Sequence, residues 1–230
     1  MSERPGANER VALPELLAIF PLTGILLLPR GRLPLNIFEP RYLAMIRDAL
    51  GGERLIGMVQ PNEPQDDNRG PRGAANPPVY PIGCAGRITQ FTETDDGRFL
   101  VTLTGVSRFR IAAELPLLSG YRRVVPDWQP FAGDREPPPE PKFDRARLIR
   151  GLKGFFAQRR VSADFEAIEK APAEYLVTSL AMACPFAPSE KQALLEAADG
   201  NERAHLLTAL LEMAASEPDT EEPGGGGTRH

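Results

Sequence analysis

Four lysines, Lys142, Lys153, Lys170 and Lys191, are the chain's only side-chain amines, and none is followed by Ser or Thr. The Gly-Lys-Ser/Thr loop that cradles nucleotide phosphates is therefore missing, and ATP hydrolysis is not expected. His205, beside Leu206 on a helical stretch, and two scattered cysteines, Cys84 and Cys184, cannot complete a four-ligand zinc site. Asp95 and Asp96 could be drawn as an acid/base pair, but the Gly97 that follows them marks a turn. No catalytic, cofactor-binding or metal-binding residue is expected from these patterns.

Other residues have the chemistry of contact. In Leu33-Pro34-Leu35-Asn36-Ile37-Phe38-Glu39-Pro40-Arg41-Tyr42 an apolar strand runs into a helix start. Glu39 can cap that helix behind Pro40 and favour its positive dipole end, while Arg41 or Tyr42 ties the helix to the strands. The alternative is a groove border, with Leu35 and Phe38 offering apolar surface, Arg41 reading carboxylates and Tyr42 giving amphipathic contact. Arg87 and Arg108 read as intramolecular ties. The segment from Asp144 to Arg160 carries six basic residues against one acid. On it Arg147, Arg150, Lys153 and Arg160 flank an apolar stripe; they form a solvated face or a contact for an acidic partner.

Several elements must position these residues. The chain has 230 residues, 42% of them hydrophobic and 25% charged, which fits a globular protein of one or two cores. Its 21 glycines and 24 prolines favour short strands and many turns. Net charge is −4; residues 1–130 hold 15 basic and 14 acidic side chains, and residues 131–230 hold 12 and 17. Neither half has the basic excess that nucleic-acid binding by counterion release requires. The preponderance of Arg over Lys reads as codon bias. Two cysteines imply no disulfide framework, so a reducing cytoplasm fits, and the polar start and short apolar runs offer no signal peptide or membrane span.

After a disordered start over residues 1–14, Leu16–Phe20, Ile25–Leu28 and Leu33–Phe38 read as short strands punctuated by proline and glycine. Pro40 opens a helix whose Leu43, Ile46 and Leu50 form one face, ended by Gly51-Gly52. Leu55–Val59 returns as a strand, and residues 61–79 form a long polar loop. Ile82–Phe91 and Phe99–Leu103 make a hairpin across Asp95-Asp96-Gly97; Phe109 with Ile111, and Tyr121–Trp128, add two more strands. The expected fold class is α+β: a β pseudo-barrel with one inserted helix over residues 15–128, a stiff Pro-rich connector at 129–143, and a helical bundle over 144–215. In the bundle, stripes at Leu148, Leu152, Phe155 and Phe156 and at Leu176, Leu180 and Ala183 precede a capping box of Ser189 and Gln192, and Asn201 caps the last helix. The two cysteines are expected in different lobes, and residues 216–230 as a disordered tail.

The segments Ile19-Phe20-Pro21-Leu22 and Leu33 to Tyr42 resemble the opening of the Lon protease amino-terminal, substrate-binding domain. Ile82-Gly83-Cys84-Ala85-Gly86-Arg87-Ile88 looks like that family's glycine-spaced barrel strand. Leu103-Thr104-Gly105-Val106-Ser107-Arg108-Phe109-Arg110-Ile111 is similar to its strand corner. Glu190 to Glu196 with Asn201-Glu202-Arg203 resembles its last two helices. The resemblance implies a PUA-like pseudo-barrel followed by a helical bundle, in a free-standing bacterial member lacking the ATPase and protease domains. No serine lies in the family's Ser–Lys catalytic motif, and the chain ends where the helix leading to the ATPase would begin.

The function so implied is non-catalytic polypeptide binding by an adaptor, a chaperone-like holder or a regulator of proteolysis. Its partners would be unfolded or degron-bearing polypeptides, or a proteolytic machine, in the cytoplasm, with no cofactor, membrane or nucleic acid involved. The contact residues would be Leu35, Phe38, Arg41 and Tyr42, and affinity is expected from apolar side chains entering a groove between barrel and bundle. The alternative is RNA binding by the PUA-like barrel and the basic helix 144–160.

Overall fold

One strand of twenty residues, β5 (Phe99–Leu118), organises the β part, with buried and more exposed side chains alternating from Phe99 to Ser107. The computed structural model of the chain describes residues 13–62, 77–160 and 162–216. Around β5 lie β1 (Leu17–Pro21), β2 (Arg32–Ile37), β3 (Leu55–Val59), β4 (Ile82–Glu93) and β6 (Tyr121–Asp127). The strand order is β2-β5-β4-β3-β1-β6, and a further β5–β6 pairing closes five of the six strands into a ring. Among the described residues only β1 and β3 pair in parallel, with Ile19 opposite Gly57. A parallel neighbour needs a crossover, which β2 and helix α1 (Pro40–Leu50) supply. The fold is thus the α+β pseudo-barrel with an inserted helix that the sequence predicts.

The strand expected at Phe99–Leu103 and the one expected around Phe109 are a single strand. Register shifts at Ala85/Gly86 and at Ile111/Ala113 bend the ladder without ending it. The Asp95-Asp96-Gly97 turn is present, with Gly97 at φ +78° and its N–H donating to the Thr94 carbonyl at 2.9 Å. Ile25–Leu28, expected as a strand, forms no ladder. Leu26, Leu27 and Leu28 are instead a buried plug, pinned by the Arg30 N–H on the Gly105 carbonyl (2.8 Å) and the Gly105 N–H on the Gly31 carbonyl (2.9 Å). Only glycine fits at 105, because a Cβ there would overlap the Leu28 carbonyl oxygen. Inside the ring Leu17, Ile19, Leu55, Val59, Ala85, Phe109 and Val124 form the core, with Trp128 edge-on to Phe109 at 5.7 Å. Helix α1 buries Tyr42, Met45 and Ile46, so its inner face is rotated from the expected Leu43, Ile46, Leu50 stripe.

A 3₁₀ helix (Gln129–Arg135) takes up the first half of the expected connector. Then come α2 (Arg145–Gln158), α3 (Phe165–Lys170), α4 (Ala173–Ala183), α5 (Pro188–Glu196) and α6 (Gly200–Ser216); α3 was not foreseen. By contacts the chain divides into two compact units, residues up to 139 with 178–196, and 140–177 with those from 197 onward. This differs from the expected boundary at 144. The physical reason is that 178–196 bonds to the barrel: the Gln192 amide donates to the Ile82 carbonyl (3.1 Å), and the Lys191 ammonium to the Gly24 carbonyl (2.8 Å). Cys84 and Cys184, both buried, therefore belong to the same unit.

In the other unit α2 packs on α6, burying Leu148, Leu152 and Phe155 with Ala204, Leu207 and Leu211. Two caps differ from expectation. Pro188 takes the first position of α5, so the Glu190 carboxylate accepts from the Ala187 N–H (2.7 Å), and Gln192 is buried. Asp199 caps α6 through the Glu202 N–H (2.9 Å), while the Asn201 side chain accepts from the Lys142 N–H (2.6 Å). The long loop lies mostly outside the described residues, as do residues 1–12 and 217–230 of the two ends expected to be disordered.

Candidate functional site

The candidate contact residues near the first helix lie where β2 hands over to α1. Among the described residues β2 pairs on one side only, with β5, and opposite residues in an antiparallel ladder point to one face. Leu35 faces Val101, which in turn faces Phe91 on β4. Val101 is buried, Leu35 half-buried and Phe91 39% exposed, so this apolar row runs from core to surface. Phe38 follows the strand and is 65% exposed. Its backbone neighbours are fixed: Glu39 takes the N-cap position, and its carbonyl accepts from the Tyr42 and Leu43 N–H groups, each at 2.9 Å.

The side chain of Glu39 does not cap the helix; it accepts from Arg41 Nε at 3.0 Å. The Arg41 guanidinium also lies 4.5 Å from the centre of the Tyr42 ring. Tyr42 is buried against Phe20, ring centres 4.3 Å apart, and burial pushes its phenol above the ordinary value. At the corner where β2 hands over to α1, Leu35 is thus half-buried, Phe38 exposed, Arg41 half-exposed and Tyr42 buried.

The basic residues of α2 separate just as clearly. Arg147 makes a bidentate pair with Glu212, both contacts 2.7 Å, on the face turned to α6. Arg160 lies beyond the helix end at φ +53°. Arg150 and Lys153 line a groove of about 510 Å³ with Arg145, Ala146, Ile149 and Glu169. Arg145 was not singled out by sequence. It opens α2 behind the Asp144 cap, and its Nη2 donates to the Ile168 (3.1 Å) and Ala171 carbonyls. Its signal in the sequence was only its place in the basic run; the groove wall depends on α3.

Three groups that look reactive are structural. Arg108 is buried, donating from Nε (2.9 Å) and Nη2 (2.8 Å) to Asp134 and from Nη1 to the Leu195 carbonyl (3.1 Å), with Phe131 stacked at 4.6 Å. It is the intramolecular tie that the sequence predicts. Burial lowers the Lys191 ammonium below the ordinary lysine value, yet its Nζ is bonded to the Gly24 and Met182 carbonyls. Burial first, then the bond to Asp48 (2.7 Å), pushes the Tyr121 phenol up to about 12. Among the described residues no three His, Cys, Asp or Glu side chains gather as a metal site, and no helix is long and apolar enough to cross a membrane.

Comparison with known proteins gives a consistent set of likenesses. A family model described as the ATP-dependent protease La (LON) substrate-binding domain matches residues 16–213. The chain is 29% identical over 204 residues to a Lon protease of Parabacteroides distasonis, covering 86% of this chain and 24% of that protein. It is 28% identical over 126 residues to Lon protease 2 of Myxococcus xanthus, covering 54% and 15%. The chain therefore spans a quarter or less of these relatives' length. Among solved structures, a Lon N-terminal domain protein from Xanthomonas campestris superposes with a TM-score of 0.56 at 23% identity, covering 84% of this chain and 97% of that one. The N-terminal domain of a Mycobacterium avium complex Lon protease gives 0.53 at 16% identity, covering 85% and 97%. The RNA alternative gains no support from these relatives.

Proposed function

We propose a polypeptide-holding role from one premise: the chain belongs to the ATP-dependent protease La (LON) substrate-binding domain family. In this reading the protein captures unfolded or degron-bearing polypeptides without acting chemically on them, as an adaptor or a chaperone-like holder for proteolysis. The observation that carries the reading is Phe38, a large aromatic 65% exposed between an edge strand and a helix start. An aromatic on fixed backbone offers much contact area for little conformational entropy, which is why such side chains anchor interfaces. Leu35 extends the apolar surface. Arg41, held by Glu39 at 2.9 Å, supplies a polar border that can exchange its partner for a carboxylate of the bound chain. Tyr42 supports this corner from below.

The test is a fluorescence anisotropy titration with a labelled, permanently unfolded polypeptide and a folded control. Saturable binding of the unfolded probe alone, weakened by Phe38→Ala, is the expected result. No binding at tens of micromolar protein would remove the proposal.

A further inference from the structure

We infer that the groove between α2 and α3 is a docking site for acidic polypeptide segments, so that the helical unit adds selection by charge. This rests on the polypeptide-holding reading above and narrows its ligand class. The groove holds three cations, Arg145, Arg150 and Lys153, against one acid, Glu169, over an apolar floor at Ile149. The groups differ in how firmly they are engaged. Lys153 and Glu169 pair at 3.1 Å with both side chains half exposed, an ion pair that water and ligands exchange at little cost. The Lys153 ammonium also sits 5.2 Å from the Phe165 ring centre, which keeps it on the groove wall. Arg150 is exposed. Arg145 spends its Nη2 on α3 carbonyls while its buried Nε–H has no hydrogen-bond partner. Arg147, by contrast, is held by Glu212 outside the groove.

The spacing specifies the ligand further. Arg150 and Lys153 stand three residues apart on a helix, about 5–6 Å between neighbouring positions. Side chains two residues apart on one side of an extended polypeptide are about 6.5–7 Å apart. An acidic-x-acidic segment can therefore place one carboxylate on each cation. With the segment running from Lys153 toward Arg150, an aliphatic residue two positions further on meets Ile149 and the methylene stem of Arg150. A basic segment would meet the same cations at like charge.

The experiment titrates a labelled Glu-x-Glu-x-Leu peptide, with its Gln and Lys counterparts, against the intact chain and the Arg150→Glu/Lys153→Glu variant. Binding of the acidic peptide only, weakened about tenfold or more in the variant and by added salt, supports the site. The Arg98→Glu/Lys170→Glu variant changes net charge equally outside the groove and is expected to keep full binding; circular dichroism checks that both variants fold. Glu217, Asp219, Glu221 and Glu222 of the same chain are potential competitors, so the titration is repeated with these four as amides. Binding seen only there also supports an acid-selective groove. Equal binding of the three peptides, or an acidic affinity unmoved by Arg150→Glu/Lys153→Glu, overturns the inference. If the neutral unfolded probe binds while no acidic peptide does, this inference fails alone; if neither binds, the polypeptide-holding reading fails with it.

Discussion

Arg108 on β5 and Arg150 on α2 are the same residue type put to opposite uses. Arg108 is almost wholly removed from water, and its guanidinium is bonded to Asp134 and the Leu195 carbonyl. Arg150 is exposed on a groove wall. A buried charge with several fixed partners is committed to architecture, because losing any partner leaves an uncompensated group in low dielectric. An exposed charge keeps its hydration and can trade water for a ligand. The aromatics divide in the same way: Tyr42 is buried against Phe20, while Phe38 stands in solvent four residues earlier.

The largest effect that would test this division is Arg108→Ala, expected to cost about 3–5 kcal/mol by leaving Asp134 buried without its cation. Urea denaturation reads it, and a loss below about 1 kcal/mol would break the comparison at its strongest point. Lys191→Met comes next: it leaves the Gly24 and Met182 carbonyls without their donor, and about 1–3 kcal/mol should disappear in the same measurement. Phe38→Ala should reverse the pattern, with unfolded-probe affinity down about tenfold and stability within about 0.5 kcal/mol of the parent.

Tyr121 sharpens the buried side by pH. An unfolded tyrosine loses its proton near pH 10, whereas Tyr121 in the fold holds its own to about 12. Its contribution is therefore fully present below pH 10 and lost as pH rises toward 12. Tyr121→Phe should flatten that alkaline limb of a stability–pH curve. The smallest effect belongs to Arg147→Ala, whose pair with Glu212 is exposed; the melting temperature should move by less than about 2 °C.

Much of the barrel was legible because its signals are local. Pro40 and Gly51-Gly52 bracket α1, and the Asp95-Asp96-Gly97 turn between two apolar runs marks the hairpin of β4 and the first part of β5. The apolar run Ile25–Leu28 misled for a physical reason: strand and plug share one composition, and only the Gly105 backbone fixes which it is. Assignment of 178–196 to the barrel unit depends on Lys191, Gln192 and the Leu195 carbonyl, contacts that helical periodicity does not encode. At the candidate sites, Phe38 stood out as an apolar residue next to a helix start. Burial of Tyr42 required knowing where α1 turns its inner face. The α2–α3 groove was hidden because α3 has six residues, too few to show a helical period, and without α3 nothing distinguishes Arg145 and Arg150 from Arg147.

Because β4, β5 and β6 lie within the closed five-strand ring, neither β4 nor β6 can peel away from β5 while leaving an intact remainder, whereas β2, laddered to β5 alone, can. Amide hydrogens that bond β4, β5 and β6 to one another should then exchange with deuterium as one slow cohort, opening only when the whole ring opens, and those of β2 should exchange sooner. Phe38 follows β2, so a tug on a gripped polypeptide would fall first on the strand that a single ladder holds, with the closed ring behind it.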